Sequence, residues 1–145
     1  MRYTDIDLQS TDIMWFGVDK NGCIAAFFSG GRFCVPEFVC QSIEETELLE
    51  DYFLNKLATS TKYVLCVEDK DNSLMMDCKK LSSKGLYCFD ISDKNGVDYK
   101  MISYPETPVK IEMLSQNIIA VMHLHDLNTV FEEVKEITLG QYKFH

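Results

Sequence analysis

Residues 15–31, WFGVDKNGCIAAFFSGG, constrain this chain more than any other stretch. Two short apolar runs flank Asp19-Lys20-Asn21-Gly22, and Ser29-Gly30-Gly31 closes the second run. Asn-Gly between apolar runs is the strongest short-range hairpin signal, because both residues accept a positive φ at little cost. The reading is a β-hairpin with strands over 13–18 and 24–28. The Ser-Gly-Gly triplet then breaks the strand, and Pro36 leaves 32–39 irregular or a short edge piece.

Residues 42–58 predict the main helix. Ser42 caps it and Glu45 stands three residues on, the spacing of a capping box. Glu44, Glu45 and Glu47 crowd the first turns, where the helix dipole favours acids. Leu49, Tyr52, Phe53 and Leu57 form an apolar stripe that faces a core. Residues 62–67 read as a central strand, 68–72 as a turn, and 73–81 as either helix or strand. Residues 86–91 read as a strand. Asp93-Lys94-Asn95-Gly96 then repeats the first turn word, with a return strand over 99–104. The flanks of the two words do not align, so these are two independent hairpins rather than a repeat. After a loop at Pro105 and Pro108, a short helix is expected at 112–116 and an apolar strand at 118–124. In 130–144, Phe131, Val134 and Ile137 have helical spacing, with room for a strand before them. No linker or low-complexity segment divides the chain. The expectation is one domain over 1–145: α+β, with a mainly antiparallel sheet built from hairpins and the 42–58 helix packed on one face.

A formal net charge of −9 argues against nucleic acid and anionic membranes as partners, since both demand positive charge. It suits a basic partner, or solubility alone. No apolar run approaches the roughly 18 residues of a membrane span. The opening MRYTDIDLQSTD lacks the apolar centre of a signal peptide, so a cytoplasmic protein is expected. Cys23, Cys34, Cys40, Cys66, Cys78 and Cys88 form no Cys-x-x-Cys pair and have no His nearby. They read as reduced thiols, mostly buried, and neither a zinc site nor any cofactor is expected.

The catalytic inventory is thin. His123-Leu124-His125-Asp126 puts two imidazoles and a carboxylate close in sequence, but no third ligand is indicated, and surface histidines on a strand are the plainer reading. Cys34 is the least buried thiol candidate for a nucleophile. Ser29-Gly30-Gly31 offers backbone amides to an anion, and a structural turn explains it as well. The acidic helix face stands apart. Glu44, Glu47, Glu50 and Asp51 lie together with no Lys or Arg before Lys56. Like charges at i, i+3 and i+4 cost a helix roughly 0.2–0.5 kcal/mol per pair. This face is the expected docking surface for a basic partner, extended by Glu68, Asp69 and Asp71 if the fold brings that turn near.

Residues 12–31 also carry a resemblance. Asp12, Trp15-Phe16, Val18-Asp19, Gly22, Ile24-Ala25, Phe27 and Ser29-Gly30-Gly31 resemble the opening of immunity proteins encoded beside bacterial polymorphic toxins and contact-dependent growth inhibition toxins. That family places a small Ala where this chain has Gly17. The resemblance implies a non-enzymatic protein that binds and neutralises the C-terminal domain of a cognate toxin, often a basic nuclease, by stoichiometric occlusion. It also implies that Trp15, Phe16, Asp19, Gly22, Ser29, Gly30 and Gly31 are structural, and it transfers no toxin-binding residue. The alternative expectation is a non-enzymatic small-ligand or scaffold-binding module that uses a groove beside Ser29-Gly30-Gly31.

Overall fold

Both Asp-Lys-Asn-Gly words turn the chain, but through different hydrogen bonds. At the first, the Gly22 N–H donates to the Asp19 carbonyl at 3.1 Å and the Asp19 N–H to the Cys23 carbonyl at 2.9 Å. Gly22 takes φ +81°, whereas no described non-glycine residue has a positive φ. The loop is therefore an i to i+3 turn followed by a left-handed glycine, not a two-residue turn with both residues left-handed. At the second word, Asn95 Oδ1 accepts from the N–H groups of Val97 and Asp98 at 2.9 and 3.1 Å.

The computed structural model describes residues 1–139. In chain order these form α1 (Asp5–Ser10), β1 (Met14–Val18), β2 (Ile24–Phe28), α2 (Glu37–Cys40), α3 (Ile43–Asp51), β3 (Tyr63–Leu65), α4 (Ser73–Ser82), β4 (Tyr87–Ile91), β5 (Asp98–Pro105), α5 (Gln116–Met122) and β6 (Glu136–Thr138). The sheet order is β1-β2-β4-β5-β3, and β6 also pairs with β5. β3 takes the Ser103–Pro105 end of β5's outer edge, and β6 takes the Asp98–Lys100 end. The fold is α+β, as expected. The sheet is mixed, because β2 and β4 run parallel while the other pairs are antiparallel. A parallel neighbour requires a long crossover, and residues 29–86 supply it.

β1 and β2 are buried on both faces, so the sheet has two cores. On one face the register aligns Trp15, Phe27 and Phe89 across three strands. Their rings stack at 4.1 and 5.1 Å, and Tyr99 meets Trp15 and Phe27 edge-on. Trp15 Nε1–H donates to the Tyr99 hydroxyl, which donates to the Cys34 carbonyl. Leu8 of α1, Val39 and Cys40 of α2, Leu127 and Phe131 close this face. On the other face, Phe16, Ala26, Phe28 and Cys88 pack against Leu49 of α3, Phe53, Cys78 and Leu81 of α4, and Ile118 and Met122 of α5. Three helices cover this face, where one was expected.

Helix α3 is capped by the Ser42 hydroxyl, which accepts from the Glu45 N–H. It runs on into a π-helical turn at Tyr52–Lys56, closed by the Leu57 N–H donating to the Tyr52 carbonyl. That turn leaves the Phe53 and Leu54 carbonyls without helical donors, and buried Lys84 supplies them from Nζ at 2.9 and 2.7 Å. Burial, with Lys80 nearby, pushes the Lys84 ammonium's pKa down.

Several expectations are corrected. Residues 62–67 hold the edge strand β3, not a central one, because they pair with β5 alone. Residues 118–124 are mostly helix α5, whose Ile118 and Met122 bury one face at i, i+4. The helix expected at 112–116 is a single 3-10 turn at Ile111–Met113. The stretch left open at 73–81 is helix α4, capped by Asn72. In the tail, Phe131–Glu133 form a 3-10 turn before β6, and residues 140–144 lie outside the described residues. Helix α1 was unforeseen, although Thr4 and Asp7 make a complete capping box for it. Helix α2 occupies part of the stretch read as irregular.

Candidate binding surface

The motif residues of 12–31 are tied into the fold by specific bonds. Buried Asp19 accepts from the Asn21 and Cys23 N–H groups on Oδ1 and from the Phe131 N–H on Oδ2, each at 2.9 Å. It thereby fastens the hairpin loop to the chain's last third. Buried Ser29 accepts from the Ile13 N–H at 2.8 Å. The Gly30 N–H donates to Asp12 Oδ1 at 2.7 Å, so that amide is engaged within the fold. Gly30 and Gly31 sit at φ +60° and +73°, which admit almost no other residue. A Cβ on Gly17 would stand 2.6 Å from Leu127 Cδ1.

The histidines do not share a surface. Exposed His123 caps α5, its ring against the Ala120 carbonyl. His125 is buried, its Nδ1 2.8 Å from the Phe16 carbonyl and its ring on Phe38. With the Val18 N–H donating to the His125 carbonyl and the Leu127 N–H to the Val18 carbonyl, it engages the Phe16–Val18 end of β1's outer edge. Burial lowers its pKa. Among the described residues no group of three or more His, Cys, Asp or Glu is disposed to hold a metal ion. The thiol expectation is reversed: Cys34 is buried, its pKa pushed up to about 11 by burial, and Cys66 is the exposed one. Cys66 lies in the bend just past edge strand β3 and lines an open groove, which its apolar sequence context does not reveal.

The acids of α3 separate into two groups. Glu44 bonds the terminal ammonium of Met1, and Asp51 accepts from Asn55 at 2.8 Å and pairs with Lys56 at 3.4 Å. Glu47 is exposed and Glu50 half-buried, and neither makes an ion pair with a described residue. The Glu50 carboxyl is pushed up by burial and then by Asp77, Glu47 and Asp12. Asp77 is raised by burial and by Asp12, against Lys80. Asp90 is pushed up to about 6 by burial, then by Asp12 and Asp93. One acidic surface therefore forms from four places: Asp12 before β1, Glu47 and Glu50 on α3, Asp77 on α4, and Asp90 on β4.

The turn at 68–72 does not extend it. Asp69 bonds Lys79, which stands about 200° around α4 from Asp77. Asp12, Asp77 and Asp90 were missed as surface acids. The available signal was Asp90, a lone carboxylate in the apolar run YCFDI, where a charge is expensive unless it reaches solvent or a partner.

A groove of about 940 Å³ lies elsewhere, where β3 and β5 are uncovered on the Trp15 side of the sheet. Val64, Cys66, Met101, Tyr104 and Val134 line it, with Lys100 and Lys135 set against Glu106, Glu132 and Glu136. None of its lining comes from Ser29-Gly30-Gly31.

No family model matches this chain, and no curated protein or solved structure matches it. Among the described residues no helix is long and apolar enough to cross a membrane.

Proposed function

We propose that the chain is an immunity protein, a non-enzymatic inhibitor that acts in the cytoplasm by binding one toxin domain in a stoichiometric complex. The observation that carries this reading is the surface of Asp12, Glu47, Glu50, Asp77 and Asp90, acids gathered from three elements and the loop before β1, with Lys80 near Asp77 but none of them in an ion pair with a described residue. Such a surface attracts a basic protein over roughly a Debye length and speeds encounter. The resemblance of residues 12–31 to immunity proteins and the net charge of −9 point the same way. The docking surface shifts from the bare α3 face toward α4. Glu47 and Glu50 remain in it, while Glu44, Asp51 and Asp69 already hold cations within the fold.

The test is to express the C-terminal domain encoded next to this gene, with and without the chain. Rescue of growth and a one-to-one complex are expected. Glu47→Lys with Asp77→Lys should slow association at least tenfold at low salt and less at 0.5 M, because such charges act mainly on the on-rate. A toxic neighbour that the chain neither binds nor neutralises would refute the reading.

A further inference from the structure

Strand β3 leaves half of its backbone without a partner. Towards β5, the Glu106 N–H donates to the Lys62 carbonyl and the Cys66 N–H to the Ile102 carbonyl, each at 2.8 Å, with Val64 opposite Tyr104 between them. The even-numbered residues thus face β5, and the N–H and C=O groups of Tyr63 and Leu65 face outward. Among the described residues no backbone or side-chain group bonds them there. The far edge of the sheet, at β1, is by contrast bonded at Phe16 and Val18 by His125 and Leu127. Exposed apolar side chains flank the open edge: Val64 at 36%, Val67 at 41% and Tyr104 at 36%. An open edge beside exposed apolar residues is a template for another strand.

Charge along the edge selects the occupant. Lys62 stands at one end, and Glu68 and Asp71 stand at the other, past a bend at Cys66 and Val67, with Lys70 between them and Asp69 already held by Lys79. An antiparallel strand with the opposite polarity matches this best, and β3 itself has that polarity when turned about a two-fold axis. We propose that β3 pairs with β3 of a second copy of this chain, with the axis at Leu65. Leu65 then exchanges hydrogen bonds with Leu65 of the second copy, Val64 lies beside its Cys66, and Lys62 reaches its acidic turn. A slip of two residues toward Tyr63 brings the two Lys62 side chains together, and a slip the other way carries the axis itself onto the bend at Val67. The pairing is short, so the dimer is weak and forms at high micromolar concentration. It stands independently of the immunity reading, since none of Asp12, Glu47, Glu50, Asp77 and Asp90 lies on β3.

Val64 and Cys66 of the second copy would form a non-hydrogen-bonded pair with Cα atoms about 4.5 Å apart, within disulfide range. In purified full-length protein at about 0.15 M salt, where the Debye length is about 8 Å, sedimentation equilibrium should show a monomer–dimer equilibrium. Val64→Cys treated with oxidised glutathione should give a covalent dimer, at least tenfold faster than Val64→Cys with Cys66→Ser. Lys62→Glu should raise the dissociation constant at least fivefold, and adding Glu68→Lys should recover most of the loss. A chain that stays monomeric to 1 mM overturns the proposal, as does crosslinking no faster than in the Cys66→Ser control. A dimer indifferent to both charge changes overturns it too.

Discussion

Asp90→Asn should make this protein more stable at neutral pH, although it removes a charge from a surface residue. The Asp90 carboxyl titrates at about 6 in the fold, against 3.8 for the free side chain, because burial and then Asp12 disfavour its ionised form. A gap of about two pH units corresponds to about 3 kcal/mol at pH 7.5. The carboxylate is only half-buried, and solvent screening reduces this to about 1.5 kcal/mol. The folded state holds this proton more tightly than the unfolded state does. The penalty is therefore complete above pH 6 and fades as the pH falls toward 3.8, leaving about 0.5 kcal/mol at pH 4.5. Asparagine keeps an oxygen that can accept from the Ile91 N–H. Urea unfolding followed by the fluorescence of Trp15, the chain's single tryptophan, reads the difference at both pH values. His125, whose lowered pKa removes stability as the pH falls below 6.5, is present in both proteins and cancels in the comparison. A variant no more stable than wild type at pH 7.5, or a difference that does not change with pH, would refute the reasoning. A gain in stability together with slower toxin association would mark Asp90 as a residue kept for binding at the expense of stability.

Three further outcomes follow from single contacts. Lys84→Met should destabilise by about 2–4 kcal/mol in urea unfolding, because a buried and a part-buried carbonyl lose their donor, and hydrogen exchange should quicken first around the Tyr52–Lys56 turn. Gly17→Ala should cost about 1–3 kcal/mol through the 2.6 Å approach to Leu127, and in a double-mutant cycle that cost should vanish when Leu127→Ala is added. Asp19→Ala should cost about 2–4 kcal/mol by stranding three N–H donors, and proteolysis should then cut first near residues 128–131.

The parts of this fold legible in the sequence are those whose cause is local. Asn21-Gly22 and Asn95-Gly96 announce both hairpins, and Ser42 with the Leu49, Phe53 spacing announces α3. Pairings between distant segments left no such mark. Nothing in Ile24–Phe28 or Tyr87–Ile91 says that these two runs lie side by side in parallel. The apolar content of 62–67 suited a central strand equally well, and its edge position depends on which neighbour β5 already has. The acidic surface was half legible for the same reason: Glu47 and Glu50 share a helix face, whereas Asp12, Asp77 and Asp90 join them only through the crossover. The π-turn needed Lys84, about thirty residues away, to become stable.

The parallel seam between β2 and β4 also dictates an order of assembly. The first hairpin closes a loop of five residues, whereas the seam closes one of 58, residues 29–86. Loop-closure entropy rises with the logarithm of length, so the seam costs about 2 kcal/mol more than the hairpin before any contact repays it. The hairpins can therefore nucleate as separate, reversible units, while the stacking of Phe27 on Phe89 waits for the long crossover to organise. Folding speed should then track seam residues, and a substitution at Ala26 or Cys88 should slow refolding more than one of equal cost within the first turn. A nascent chain released before residue 91 has left the ribosome would carry a finished hairpin whose Phe27 and Phe28 have no neighbouring strand, and in that interval the protein is most exposed to aggregation.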